Sequence, residues 1–205
     1  SKIDKVAKYF DLADKIVIVT HTSPDGDAIG SSLGLLHFLE TQEKNVHIIV
    51  PNSFPDFLRW MSGAKDIIRY DKYSEFAEQL INEADVICCL DFCRVVISYP
   101  QISSTSELVF RLICQMGNFD DITREGAECI YTGMMTDTGG FTYNSNSSEI
   151  YFIIAELLLK GIDKDEIYRK VYHTYSENRL RLMGYVLYEN MVVYPQFRSA
   201  LICLD

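Results

Sequence analysis

Positive charge is scarce in this chain: 19 Lys and Arg stand against 29 Asp and Glu, a formal charge of −10. A protein this acidic lacks the basic surface needed for a broad electrostatic grip on duplex DNA. An anionic substrate would have to find its positive charge locally, as bound metal ions supply it. No CxxC pair occurs among the six cysteines, which removes the usual thiolate zinc site. Their placement inside apolar runs, Cys88 and Cys89 in VICCLDF, Cys114 in LVFRLIC and Cys203 in ALICLD, predicts reduced, buried thiols. No GxxxxGK is present, so a phosphate-binding P-loop is excluded. There is no signal peptide and no apolar run long enough to span a bilayer, so a cytoplasmic protein without membrane contact is expected. Internal repeats and low-complexity tracts are also missing. What is present is 205 residues, 48 % hydrophobic and 23 % charged, enough to bury a sizeable core in one main domain with part of a second.

The chain is organised around KIVIVTHTSPDGDAIGSSLG, Lys15 to Gly34. Its apolar, β-branched start predicts a buried strand, and Ile29, Leu33, Leu36 and Leu39 predict a helix. Between them lies a polar loop carrying His21, Asp25 and Asp27, at the carboxyl end of a strand, where open α/β sheets place ligands. One imidazole and two carboxylates so spaced can converge on a divalent cation, with the helix dipole holding the carboxylates ionised. The plainer alternative is that Pro-Asp-Gly-Asp is an ordinary strand-to-helix turn, with Gly26 relieving strain and an aspartate capping. An EF-hand is excluded because Ile29 stands where that loop needs an oxygen ligand.

Further along, KIDKVAKYFDLA predicts an amphipathic helix, NVHIIV a strand, SFPDFLRWMS at 53–62 a short helix and Ile67 to Tyr70 a short strand. Tyr73 to Glu83 predicts a helix with Phe76, Leu80 and Ile81 inward, and Asp85 to Phe92 a strand. The alternation of strand and helix implies a parallel sheet flanked by helices, an α/β architecture. Asp91 closes the last strand on the same rim as the acidic loop. A carboxylate after five apolar residues is costly if buried unpaired, and a bridging metal ligand is favoured over a turn or cap residue. His37 and His47 are read as packed or edge histidines, and His173, between two helices, as a weak ligand candidate.

DVICCLDF runs almost directly into VVISYP, although adjacent parallel strands need a crossover of about a dozen residues or more. At this join, either a mobile segment between Phe92 and Cys93 is left out of this sequence, which is the preferred reading, or the protein has lost a crossover unit. Beyond it the chain is mainly helical. SSTSE is an N-cap signature for a helix through LVFRLICQM, and a helix over Thr123 to Thr136 ends in Asp137-Thr138-Gly139-Gly140. Helices over Ser148 to Lys160, Lys164 to Tyr172 and Ser176 to Glu189 precede two strands in MVVYPQFRSALICLD.

HTSPDGDAIGSSLG, the aspartate of CCLDF, SSTSE and TDTGGF occur in the order seen in the DHH phosphoesterase superfamily. The chain most resembles its oligoribonuclease and phosphoadenosine-phosphate phosphatase branch. The resemblance implies a Rossmann-like domain over residues 1–174, a connecting helix over 175–190 and the start of a smaller substrate-binding domain over 191–205. It implies two manganese ions, with magnesium an alternative. His21 and Asp25 would hold one, Asp27 and Asp137 the other, and Asp91 would bridge them, so that Asp27 and Asp91 also count as catalytic. The implied activity is hydrolysis of short single-stranded oligoribonucleotides, dinucleotides or 3'-phosphoadenosine 5'-phosphate to mononucleotides. Alternatives within the resemblance are a cyclic-dinucleotide phosphodiesterase, a manganese pyrophosphatase and an inactive nucleotide-binding relative. A homodimer is compatible with it. The Asp-His-His triplet that names the superfamily is absent from this sequence and would fall in the join after Phe92.

Overall fold

A computed structural model describes residues 2–92, 102–117 and 119–203, with side chains described from residue 5. The expected strand in VVISYP and the missing crossover fall outside the described residues. The first helix, α1 (Lys2–Leu12), leads into β1 (Lys15–Val19), and α2 (Gly26–Thr41) connects β1 to β2 (Asn45–Val50). After β3 (Ile68–Arg69), α3 (Ser74–Glu83) connects to β4 (Val86–Cys89). The four strands form one parallel sheet in the order β3-β2-β1-β4, as the alternation predicts. Helices follow at α4 (Thr105–Met116), α5 (Arg124–Asp137), α6 (Ser148–Leu159), α7 (Lys164–Tyr172) and α8 (Glu177–Glu189). An antiparallel hairpin of β5 (Met191–Tyr194) and β6 (Ser199–Ile202) completes the described chain. No helix among the described residues is long and apolar enough to cross a membrane.

The period of two along β1 divides the core. Ile16 and Ile18 face the large cluster shared with α1, α2, α4, α5 and α6, whereas Val17 joins Ile49 and Ala77 in a smaller cluster under α3. The central helix is α2, buried at every position from Gly26 through Leu35. A helix so enclosed needs small residues where its neighbours cross. At Gly30 a Cβ would come 2.6 Å from the Cys129 carbonyl oxygen and 2.8 Å from the Gly133 nitrogen, both backbone atoms of α5. The buried Ser31 and Ser32 satisfy their hydroxyls on the Ala28 carbonyl, one turn back.

Three expectations need correction. Residues 53–62 form only a single 3-10 turn, Asp56–Leu58: proline at 55 disfavours the helical region for Phe54 before it, so no helix starts at Ser53, and no side chain caps the turn. Phe76 is 51 % exposed, and the buried position of α3 is Ala77, with Leu80 and Ile81 packed beside it. Of the described cysteines only Cys129 is buried; Cys89, Cys114 and Cys203 are exposed. For Cys89 the reason is topological. β4 is the edge strand of the described sheet, and Ile87 and Cys89 face away from the main core.

Candidate metal centre

Register brings the first two residues together. The last pair between β1 and β4 is Val19↔Cys89, so His21 and Asp91 each stand two residues beyond it, on adjacent parallel strands at the same rim. Their side chains meet, with His21 Nε2 3.3 Å from Asp91 Oδ2. Asp91 has a φ of 59°, the left-handed region that aspartate tolerates better than most residues. Asp25 joins from the start of α2. It is the N-cap, and one of its oxygens accepts the N–H groups of Asp27 and Ala28, both at 3.0 Å. One ligand atom each from His21, Asp25 and Asp91 lies within 4.8 Å of the others.

Hydrogen bonds orient this cluster. The Nδ1–H of His21 donates to the Thr22 carbonyl at 2.8 Å, which leaves the Nε2 lone pair toward Asp91. A lone pair facing a carboxylate oxygen is favourable only with a proton or cation to share. Burial pulls the His21 pKa down, but the Thr22 carbonyl and the charges of Asp91 and Asp25 outweigh it and hold the pKa above its ordinary value. The other Asp91 oxygen accepts the Thr105 hydroxyl at 3.0 Å.

Asp27 is placed differently. It lies in the first turn of α2 at 4 % exposure, and its two oxygens accept the backbone N–H groups of Thr105 and Ser106, the latter at 2.8 Å. Those donors are the otherwise unpaired amides at the start of α4. Each carboxylate oxygen keeps a second lone pair. Burial pushes the Asp27 pKa up to about 7, reinforced by Asp91 and opposed by the Thr105 and Ser106 donors. The Ser106 hydroxyl is buried without an aligned hydrogen-bond partner among the described residues. Gly133 is the reason it fits, since a Cβ there would come 1.9 Å from Ser106 Oγ.

Asp137, the last residue of α5, is half-buried and stands outside the three-residue cluster. Its pKa is raised, first by burial and then by the charges of Asp25 and Asp91, which puts it within electrostatic reach of both. Asp25, Asp27 and Asp137 together line a cavity of about 270 Å³. Phe57, Tyr172, Tyr175 and Arg179 contribute to the same cavity. The remaining histidines are elsewhere: His37 bonds the Ser62 carbonyl, His173 ends α7 with its ring edge-on to Tyr168, and His47 is on β2.

The five residues singled out from sequence thus divide into a cluster of three, a buried aspartate clamped by α4 and an aspartate across the shared cavity. Thr105 and Ser106 were legible only as part of a helix cap. Their link to the acidic loop is a long-range pairing, although a run of hydroxyls opening a helix is itself an anion-binding signal. Arg179 carries no sequence signal at all.

Comparison with known proteins places these features. The DHH family, N-terminal domain, matches residues 15–134. The bifunctional oligoribonuclease and PAP phosphatase NrnA of Thermus thermophilus is 30 % identical over 199 residues, covering 84 % of this chain. This chain spans only 58 % of that relative's length. The cyclic-di-AMP phosphodiesterase PdeA of Listeria monocytogenes is 23 % identical over 173 residues, 66 % of this chain and 26 % of that protein. Among solved structures, an exopolyphosphatase-related protein from Bacteroides fragilis superposes with a TM-score of 0.93 at 65 % identity, covering 98 % of this chain and 68 % of that one.

Proposed function

Given that the chain belongs to the DHH family, we propose that it is a metal-dependent phosphoesterase that hydrolyses short oligoribonucleotides and 3'-phosphoadenosine 5'-phosphate to mononucleotides. The observation that carries this reading is the convergence of His21, Asp25 and Asp91 within 4.8 Å at the carboxyl rim of the sheet, beside a cavity that shares Asp25. The donor set fits a divalent cation. It offers one imidazole nitrogen whose tautomer is set by Thr22, and carboxylate oxygens left over after their structural hydrogen bonds. Oxygen donors with one nitrogen suit manganese, or magnesium with less preference.

In this reading His21 and Asp25 would hold one ion and Asp27 and Asp137 a second, with Asp91 available to both. Bound there, such ions would supply Lewis-acid chemistry, activating a water and neutralising charge on the leaving oxygen. The chain's own contribution is orientation. Thr22 fixes the imidazole ring, Thr105 fixes Asp91, and the α4 amides fix Asp27, so none of these groups has to reorganise when substrate arrives.

The named relatives support nucleotide substrates, and PdeA keeps a cyclic-dinucleotide phosphodiesterase as the second reading. One panel tests all of these: product release from 3'-phosphoadenosine 5'-phosphate, a diribonucleotide, linear and cyclic diadenylate and pyrophosphate, each with manganese and with chelator. Chelator-sensitive release of mononucleotide is the expected result. No turnover of any ester in the panel overturns the enzyme reading and leaves an inactive nucleotide-binding relative.

A further inference from the structure

We propose that Tyr175 and Arg179 form the recognition edge for a nucleoside monophosphate unit in the cavity beside the acidic cluster. The guanidinium takes a phosphate that is not cleaved, and the aromatic wall takes the base. The proposal rests on the reading of the site as a nucleotide phosphoesterase and names where that substrate is held.

Charge is the first argument. Three of the residues lining the cavity are aspartates, Asp25, Asp27 and Asp137, which repel any anion approaching from solvent. Arg179 is the one cationic side chain among the described residues that line it. It makes no ion pair with any of the described carboxylates, so its charge is not already spent.

Geometry is the second. The Arg179 guanidinium carbon lies 4.8 Å from the centroid of the Tyr175 ring. A cation seated over a ring in this way is attracted to the ring face, and its N–H groups can still donate to the oxygens of a phosphate. The backbone holds the pair in place as well. Ser176 caps α8 by accepting the Arg179 N–H at 3.2 Å, fixing the first helical turn between the two side chains.

The third argument is the wall itself. Phe57, Tyr172 and Tyr175 line the cavity. The Tyr172 hydroxyl donates to the Met135 carbonyl at 3.3 Å, and its ring packs at 4.8 Å on Tyr168, which fixes its orientation. Aromatic faces reward a stacked base and give nothing to a base-free polyphosphate chain. A polyphosphate would call for a row of cations, and the described residues lining this cavity offer one.

Calorimetric binding of AMP and adenosine, with chelator present, to the wild type and to Arg179→Gln and Tyr175→Leu tests the assignment. The wild type is expected to bind AMP about tenfold more tightly than adenosine, the worth of one charge-assisted phosphate contact. Arg179→Gln should abolish that difference while leaving adenosine affinity and the melting temperature unchanged, and Tyr175→Leu should weaken both ligands. The proposal is overturned if Arg179→Gln binds AMP as the wild type does, if pyrophosphate binds as tightly as AMP, or if the wild type binds neither nucleotide. Turnover of 3'-phosphoadenosine 5'-phosphate with manganese separates the two readings. Turnover with a flat AMP–adenosine comparison sinks the subsite alone, whereas an intact comparison without turnover sinks the phosphoesterase assignment and leaves the subsite standing.

Discussion

Asp27 is 4 % exposed between the starts of α2 and α4, and burial is the main force on its proton. Its folded-state pKa of about 7 lies above the ordinary aspartate value of about 4, so between these pH values the folded protein holds a proton that the unfolded chain releases. Stability from this group is therefore fully present below about pH 4 and is lost as pH rises towards 7, by an amount on the order of a few kcal/mol. With chelator present, urea midpoints should fall between pH 5 and 7.5 in the wild type, and that slope should be smaller in Asp27→Asn. An unchanged slope would mean that Asp27 is ionised throughout. Asp91 makes a different prediction. Asp91→Ala removes the partner of both His21 and Thr105, and it should abolish manganese-dependent hydrolysis while far-UV circular dichroism stays native. Retained turnover would remove Asp91 from the site.

The elements of the α/β half follow from local pattern. β1 alternates between two apolar clusters, and α2 begins at Asp25 because that aspartate caps it, so both could be read from Lys15 to Gly34. The cap reading and the ligand reading of that loop turn out not to compete, since one Asp25 oxygen caps while a ligand atom of the same residue lies beside those of His21 and Asp91. What local pattern could not supply is contact across the chain. The grip of Thr105 and Ser106 on Asp27 spans 78 and 79 residues, and the exposed helix that carries Arg179 has no periodicity pointing at a cavity. Pro55 shows the opposite failure, an apolar stretch in which the proline disfavours a helical start at the residues before it. The crossing of α2 over α5 carries its own test. Gly30→Ala places a methyl group 2.6 Å from a backbone carbonyl that cannot swing aside. It should destabilise the protein by about 1–3 kcal/mol. The readout is a lower urea midpoint with an unchanged m-value.

Across the whole molecule, stability is unevenly spread. The parallel sheet and α2 bury their side chains, whereas all residues of β5 and β6 are exposed and, among the described residues, the two strands pair only with each other. Amide exchange should therefore be orders of magnitude slower in β1 and β2 than in the hairpin. Equal protection would show that the hairpin is covered in solution. Cation binding should act on the molecule as a unit. At a hundredfold excess over its dissociation constant, manganese should stabilise the fold by about 2.7 kcal/mol. For a chain of this size that corresponds to a rise of about 5–11 °C in melting temperature. The rise should be absent in Asp91→Ala.

Thr105 belongs to two anchorages at once, its amide on Asp27 and its hydroxyl on Asp91. It is a keystone between the central helix and the edge of the sheet. A shift of α4 by a fraction of a turn would release both carboxylates together, so loosening at this point should empty the centre in one step instead of weakening it by degrees.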